Sequence, residues 1–341
     1  VIINIIAEIS NLSTIFMTIQ EIFDLAIKLG READPRPQEE IDKQLARIKR
    51  AHEAMPAKQR EFFPKEKLTN PYLDSAIHFA GDPQKEIKKI MVTMDPDESE
   101  VLLGKELGVD LVMGHHPIGQ SLALLDDSME MQLLVYQKYG VPINIIQGLM
   151  KKRIAQVERS VHVANHFIQP DSARLLKVNL MNIHSPADNL LDQFLFNLAE
   201  GAKPEFVEDL VDTLFDITEY QESARRGAPV KVFTGNPKNY CGKIMIDMTG
   251  GTNGSENVYS HLATAGIGTI LTMHRPENHY EIAEKSFINL IVAPHIASDS
   301  LGMNLFVDEL EKKGIEILPA GGFIRVSRVK DKKGQIVNPI Q

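Results

Sequence analysis

Residues 87–119 read IKKIMVTMDPDESEVLLGKELGVDLVMGHHPIG. An apolar run, Ile87–Met94, predicts a strand, and Asp97–Leu107 carries helical spacing. Asp110–Met113 predicts a second strand. Further along, Met129–Tyr139 reads as a helix and Val141–Ile146 as a third strand. Strands alternating with helices at this spacing predict an α/β fold with a mostly parallel sheet covered by helices. The rhythm returns in Val230–Thr234, Lys243–Met248, helix 256–265, Thr269–Thr272, helix 280–286, Asn289–Ala293, helix 299–312 and Ile315–Leu318, with Gly322–Val329 as a last strand-like stretch. Between the two blocks the chain is mainly helical by pattern, with one short strand at Lys177–Met181. The expected organisation is a first α/β half over 17–150, a helical middle over 151–229 and a second α/β half over 230–341.

The ends and the composition narrow the class. Residues 1–16, VIINIIAEISNLSTIF, are apolar without a basic residue, unlike a signal peptide. Met17 is the expected natural start, with 1–16 a non-native or frayed extension, and the polar DKKGQ stretch near the other end is expected to fray. The 341 residues are 43% apolar and 24% charged, enough for a sizeable core. The net charge is −9, which argues against a nucleic-acid partner held by phosphate neutralisation. No apolar run approaches the ~18–20 residues of a membrane helix. One cysteine, Cys241, excludes an intrachain disulfide and suits a reducing cytoplasm. With 11 histidines in so acidic a chain, any metal must be held by imidazole and carboxylate.

Three strand ends carry that chemistry, at the sheet edge where open α/β proteins bind ligands. His115-His116-Pro117 follows the second strand. Neighbouring side chains on a strand point apart, so the pair converges on a metal only if the backbone turns, which Gly114 and Pro117 permit; otherwise it is a polar loop. MNIHSPADN (181–189) sets His184 four residues before Asp188. NLIVAPHIASDSLGMNLFVDEL (289–310) sets His295 four residues before Asp299. One helical turn brings each pair to one side, although a first-turn aspartate is also an ordinary helix-dipole partner. Counting His115, His116 and His295 with Asp188 and Asp299, three histidines and two aspartates suffice for two metals sharing a carboxylate; His184 is a supporting candidate. His274 and His279, in TMHRPENHYE, are either donors behind the ligands, acid–base groups or a solvent loop. The glycine-rich Met248–Asn257, MTGGTNGSEN, offers backbone N–H groups to a phosphate or is simply a tight turn.

Other features read as structural. His162 and His166 lie one turn apart but lack the glutamate of a HExxH helix, and they read as polar helix positions. His52, His78 and His261 have no partner pattern. The mixed charges of 38–60 read as a solvated helix and not a partner-binding one.

The order of these motifs resembles the Nif-three-like family, also known as GTP cyclohydrolase I type 2 homologues, over residues 70–320. GVDLVMGHHP is similar to the family's first metal-binding histidine pair, and His184–Asp188 stands where the family has HTNLD, which implies Asp188 as a bridging ligand. Pro294–Asp299 stands at the closing GHYxTE segment, with proline for glycine and aspartate for glutamate, so Asp299 is one methylene shorter. Thr272–His279 stands at a TGE-xx-HH loop, with His279 at its last histidine. The resemblance implies a centre of two divalent metals (Zn, Fe, Mn or Co) on His115, His116, Asp188, His295 and Asp299. It implies metal-assisted hydrolysis of a nucleotide-like or other small anionic substrate, with His279 or Glu277 moving the proton. It also implies a ring-shaped homo-oligomer, a hexamer. The competing reading is a non-catalytic metal- or ligand-binding regulatory protein. A phosphoesterase ranks below both, because Gly114 and not an acid precedes the histidine pair.

Overall fold

The structure is a computed structural model, described for residues 17–330; the expectations for 1–16 and for DKKGQ lie outside the described residues. Its strands are β1 (Ala76–Phe79), β2 (Lys89–Thr93), β3 (Leu111–Gly114), β4 (Asn179–Asn182), β5 (Lys231–Thr234), β6 (Lys243–Asp247), β7 (Ile267–Thr272), β8 (Asn289–Val292) and β9 (Glu316–Pro319). They form a five-stranded sheet, β1-β4-β3-β2-β9, and a four-stranded sheet, β5-β8-β7-β6. The edge pairs β1·β4 and β5·β8 are antiparallel and the other pairs parallel. The chain is thus α/β, with two mostly parallel sheets.

The second sheet repeats the first. The order β5-β8-β7-β6 follows β1-β4-β3-β2, and both antiparallel edge strands slip register at the same place, between Ile77 and Phe79 and between Val232 and Thr234. Asn179 of β4 and Asn289 of β8 hold matching positions, opposite Leu111 and Thr269. Each donates from its side-chain amide to the carbonyl just ahead of its partner, Asp110 at 2.8 Å and Gly268 at 3.1 Å. Two strands cross the boundaries expected from chain order: β4, from the middle region, and β9, from the C-terminal region, both complete the first sheet.

Two local expectations need correction, and one strand is new. Val141–Ile146 is not a strand; a helix runs over Ile143–His162. Pro142 precedes it with φ −61°, a preset entry into a helix, and Ile146, Met150, Val157 and Val161 then recur on one buried side. A short apolar run does not separate strand from helix by itself. Gly322–Val329 forms no strand. Its backbone amides donate instead to side chains spaced one turn apart on the helix His295–Glu311: Ile324 to Ser300 (3.0 Å), Val326 to Asn304 (3.2 Å) and Arg328 to Asp308 (3.1 Å). Finally, β1 is only four residues, AIHF, and was not expected.

Two long helices sit between the sheets, Ser185–Ala202 after β4 and His295–Glu311 after β8. Both feed both cores. Leu191, Leu195, Ala297 and Leu301 pack with Ile246, Leu271 and Ile291 of the second sheet. Ala187, Met303 and Phe306 pack with Ile90, Val92, Leu111 and Met181 of the first. The helices touch where Gly302 meets the Ala187 carbonyl, which a Cβ would approach to 2.6 Å. A backbone carbonyl cannot step aside as a side chain can, so the helices must separate. Gly302→Ala should therefore cost about 1–3 kcal/mol in a urea unfolding titration; an unchanged midpoint would show that the interface tolerates a wider spacing.

Candidate metal centre

The centre forms where β3, β4 and β8 end. At β3 the turn demanded of adjacent histidines is present: His115 N and His116 N both donate to Met94 O, at 3.1 and 2.9 Å. Gly114 allows this, because a Cβ there would run into the Pro96 ring. The two imidazoles then converge, with ring centroids 5.2 Å apart. His184 is the residue before the helix Ser185–Ala202, and His295 is the first residue of the helix His295–Glu311. Asp188 and Asp299 follow one turn later, so each strand–helix junction of the repeated unit delivers one imidazole and one carboxylate.

Nitrogen and oxygen atoms meet at short range. His115 Nε2 lies 3.5 Å from Asp188 Oδ1 and 3.6 Å from Asp299 Oδ1. His116 Nε2 and His295 Nε2 each lie 3.3 Å from Asp299 Oδ2, and His184 Nε2 lies 3.8 Å from Asp188 Oδ2. Among the described residues, two overlapping groups have the spacing to hold a metal: His115, His116 and Asp299, and His115, His184 and Asp188. Donors held about 2.1 Å from a tetrahedral ion stand about 3.4 Å from one another, which is the spacing seen.

The hydrogen bonding fits a cation as well. His115 Nε2, His116 Nε2, Asp188 Oδ1 and both Asp299 oxygens are buried without a hydrogen-bond partner. Buried polar atoms normally have one, so five together mark a site shaped for something else. The opposite ring nitrogens are engaged. His115 Nδ1 is 3.0 Å from Ile183 O, His116 Nδ1 2.7 Å from Asp95 Oδ1, and His184 Nδ1 2.9 Å from Asp74 Oδ2. An Nδ1–H donating backwards leaves the Nε2 lone pair facing the centre.

Charge is unevenly spread. Burial presses His115 well below the ordinary imidazole range. Burial also opposes charging of His116, but Asp299 and Asp95 outweigh it and raise it to about 9. Asp299 resists its burial because the imidazoles of His115, His116 and His295 hold its carboxyl far below the usual range. Burial, and then the charge of Asp299, push Asp188 well above it. Two carboxylates in one dry site cannot both ionise cheaply, and a divalent cation held beside them would relieve that conflict.

The structure brings His115, His116, Asp188, His295 and Asp299 together and adds His184 as a full member of the cluster. His279 and Glu277 stand apart from these side chains. His279 is buried and bonds Tyr259 Oη (3.1 Å); Glu277 is exposed in the first turn of the helix Glu277–Lys285. Tyr259 in turn accepts from Arg275 (3.0 Å), and Arg275 pairs with Asp247. His274 is the member of that loop that reaches the centre: its ring lies 4.5 Å from that of His295, and Asn253 holds its Nδ1 at 3.1 Å. The glycine-rich stretch is adjacent. Met248, Thr249, Gly251 and Thr252 line a cavity of about 30 Å³ shared with His184, Asp188 and His274. His162 and His166 do not share a helix as expected, because the helix Ile143–His162 stops at His162 and His166 lies in the turn before Ile168, and neither takes part in a metal-holding group.

Two contributors escaped the sequence. Asp95 follows β2 at the same sheet edge as the ligands, a placement that could have flagged it. Asp74 stands in a loop 110 residues from His184 with no motif around it, and offers no such signal.

No protein-family model and no curated protein matches the chain. Among solved structures it is similar to a NIF3 superfamily protein from Sphaerobacter thermophilus, with TM-score 0.70 and 24% identity over 90% of this chain and 99% of that one. It is more distantly similar to reduced HcgD from Methanocaldococcus jannaschii, with TM-score 0.49 and 17% identity over 78% of this chain and 97% of that one. The repeated sheets, the helices between them and this likeness agree: the chain has the Nif-three-like fold.

Proposed function

We propose that the chain is a dinuclear metal protein that hydrolyses a small anionic substrate, on the ligands His115, His116, His184, Asp188, His295 and Asp299. One observation carries the reading: five buried donor atoms without hydrogen-bond partners converge from three strand ends. Two divalent ions bound there would supply Lewis acidity and a water of lowered pKa. Imidazole and carboxylate donors suit Zn, Fe, Mn or Co alike.

The chain's own residues would do the rest. His274, beside His295 and steadied by Asn253, is the group we assign to moving the proton, the role expected for His279 or Glu277. Burial, then the charges of His295 and Arg275, lower its pKa to about 3, so it is neutral at ordinary pH. His279, at the far end of the Tyr259–Arg275 chain, would hold Arg275 in place. The glycine-rich loop is fixed by Gln132, whose amide reaches the Gly250 and Thr252 carbonyls at 2.6 Å each. Its cavity of about 30 Å³ admits water-sized molecules and no nucleotide. A substrate of the nucleotide kind would therefore approach from the other side, where His116 and His295 are 22% and 39% exposed.

The size of that cavity is also what favours the second reading, a metal-binding regulatory protein without turnover. Metal analysis separates the possibilities. The purified, metal-supplemented chain should hold close to two ions, and His116→Ala or Asp188→Ala should lose at least one; no metal at all would reject the centre. Turnover on a panel of nucleotides and phosphoesters supports the hydrolase, and His274→Gln should then lower the rate roughly 10²–10⁴-fold, the usual worth of a proton-transfer group, with the metal retained. Full metal with no turnover across the panel would leave the regulatory reading standing.

A homo-oligomer, hexameric by the resemblance, belongs to the same proposal, as does a cytoplasmic setting suited to the buried, unpaired Cys241. Leu102, Leu103 and Leu107 on the helix Glu98–Glu106 and its flank, with Leu175 on the neighbouring helix Ile168–Leu176 and Phe167 just before it, leave apolar surface in water. No helix among the described residues is long and apolar enough to cross a membrane. Light scattering should report a multiple of the 38.1 kDa chain, and a monomeric mass would remove the oligomer from the proposal.

A further inference from the structure

The imidazoles of the centre are steered from behind by unequal groups. Behind His115 stands a backbone carbonyl, behind His116 the exposed Asp95, and behind His184 the fully buried Asp74. Asp74 is built in from every side. Its Oδ2 accepts from His184 Nδ1 at 2.9 Å and from Ser185 Oγ at 2.6 Å. Its N–H donates to Ser128 Oγ at 3.0 Å, and its carbonyl accepts from Asn182 Nδ2 at 2.7 Å. That same Asn182 amide also reaches His115 O at 3.2 Å, so one side chain ties the Asp74 loop to the backbone of the histidine pair. The side chain of Asp95, 60% exposed, bonds His116 Nδ1 at 2.7 Å, and its carbonyl accepts from Thr93 Oγ1 at 3.1 Å.

We propose that Asp74 is the positioning residue of the buried half of the centre, His115 with His184 and Asp188, and Asp95 that of the open half, His116 with His295 and Asp299. The two carboxylates then set the affinities of two metal positions separately. The inference rests on the dinuclear reading above and adds which residues outside the ligand set govern each position. A carboxylate receiving Nδ1–H locks the ring so that Nε2 faces the metal, and it makes that nitrogen a better donor. Its charge acts at full strength in dry surroundings and is screened in water, so Asp74 should matter more than Asp95.

The test uses the full chain, stripped of metal, as wild type and as Asp74→Asn and Asp95→Asn. Each is titrated with Zn²⁺ by calorimetry and with Co²⁺ by its visible absorption. Asparagine keeps the size of the side chain and an acceptor for Nδ1–H but removes the charge. Wild type should bind in two steps. Asp74→Asn should weaken one step about 10–100-fold, leave the other, and remove one component of the Co²⁺ spectrum; Asp95→Asn should shift the other step by less. Melting curves in chelator show whether each variant folds. Should Asp74→Asn fail to fold, Asp74→Glu takes its place and must keep both steps with an altered Co²⁺ spectrum. Two steps in wild type that Asp74→Asn leaves unchanged, or weakens equally, would overturn the assignment. A wild-type chain that binds neither ion overturns the dinuclear reading, and this inference with it.

Discussion

Two aspartates meet four imidazoles where two helices pack between the sheets, Asp188 beside His115 and His184 and Asp299 beside His115, His116 and His295, and most of the architecture can be read as the means of keeping them there. Left to water, two carboxylates a few ångströms apart would separate or share a proton. Here they cannot separate, because Asp188 and Asp299 belong to helices that pack together at Ala187 and Gly302 and are each wedged into both cores. The result is a buried site whose donors are aimed but unpartnered. Holding such a set costs folding energy, since each desolvated donor without a partner is unfavourable by about 1–3 kcal/mol. A bound cation would recover that cost, which is the physical support for the proposed metal-binding role.

The repeat explains how one chain builds such a site. Each unit ends a parallel strand at the edge where a helix begins, and each junction delivers a histidine and, one turn later, an aspartate. The copies are not identical. The first adds His115 and His116 from β3, whereas at the matching end of β7 stand Met273 and His274. His274 stays beside His295 as a neutral neighbour and not as a member of either metal-holding group. One half of the centre is consequently buried and the other reaches the surface.

Part of this is local and therefore legible. The alternation of strands and helices, the strand-end histidines and the His-x3-Asp spacing all express periodicities of two and 3.6 residues, which need no knowledge of the rest of the chain. The same locality explains the errors. Val141–Ile146 carries an apolar run that suits strand or helix equally, and the residues after it decide. Gly322–Val329 has the look of a strand, but its amides find side-chain oxygens on a helix in place of a neighbouring strand.

The sequence by itself determined the fold class, the sheet edge that carries the chemistry, and the residue types available there: imidazole and carboxylate, with no thiolate in range. Only the tertiary structure decided that His184 joins the other imidazoles, that His274 and not His279 lies beside His295, and that Asp74 and Asp95 stand behind two of the rings. The physical reason is that these are relations between residues 21 to 110 positions apart, made at hydrogen-bond or ring-contact distance. No local pattern encodes such a distance; it exists only once the two sheets and the helices between them have packed.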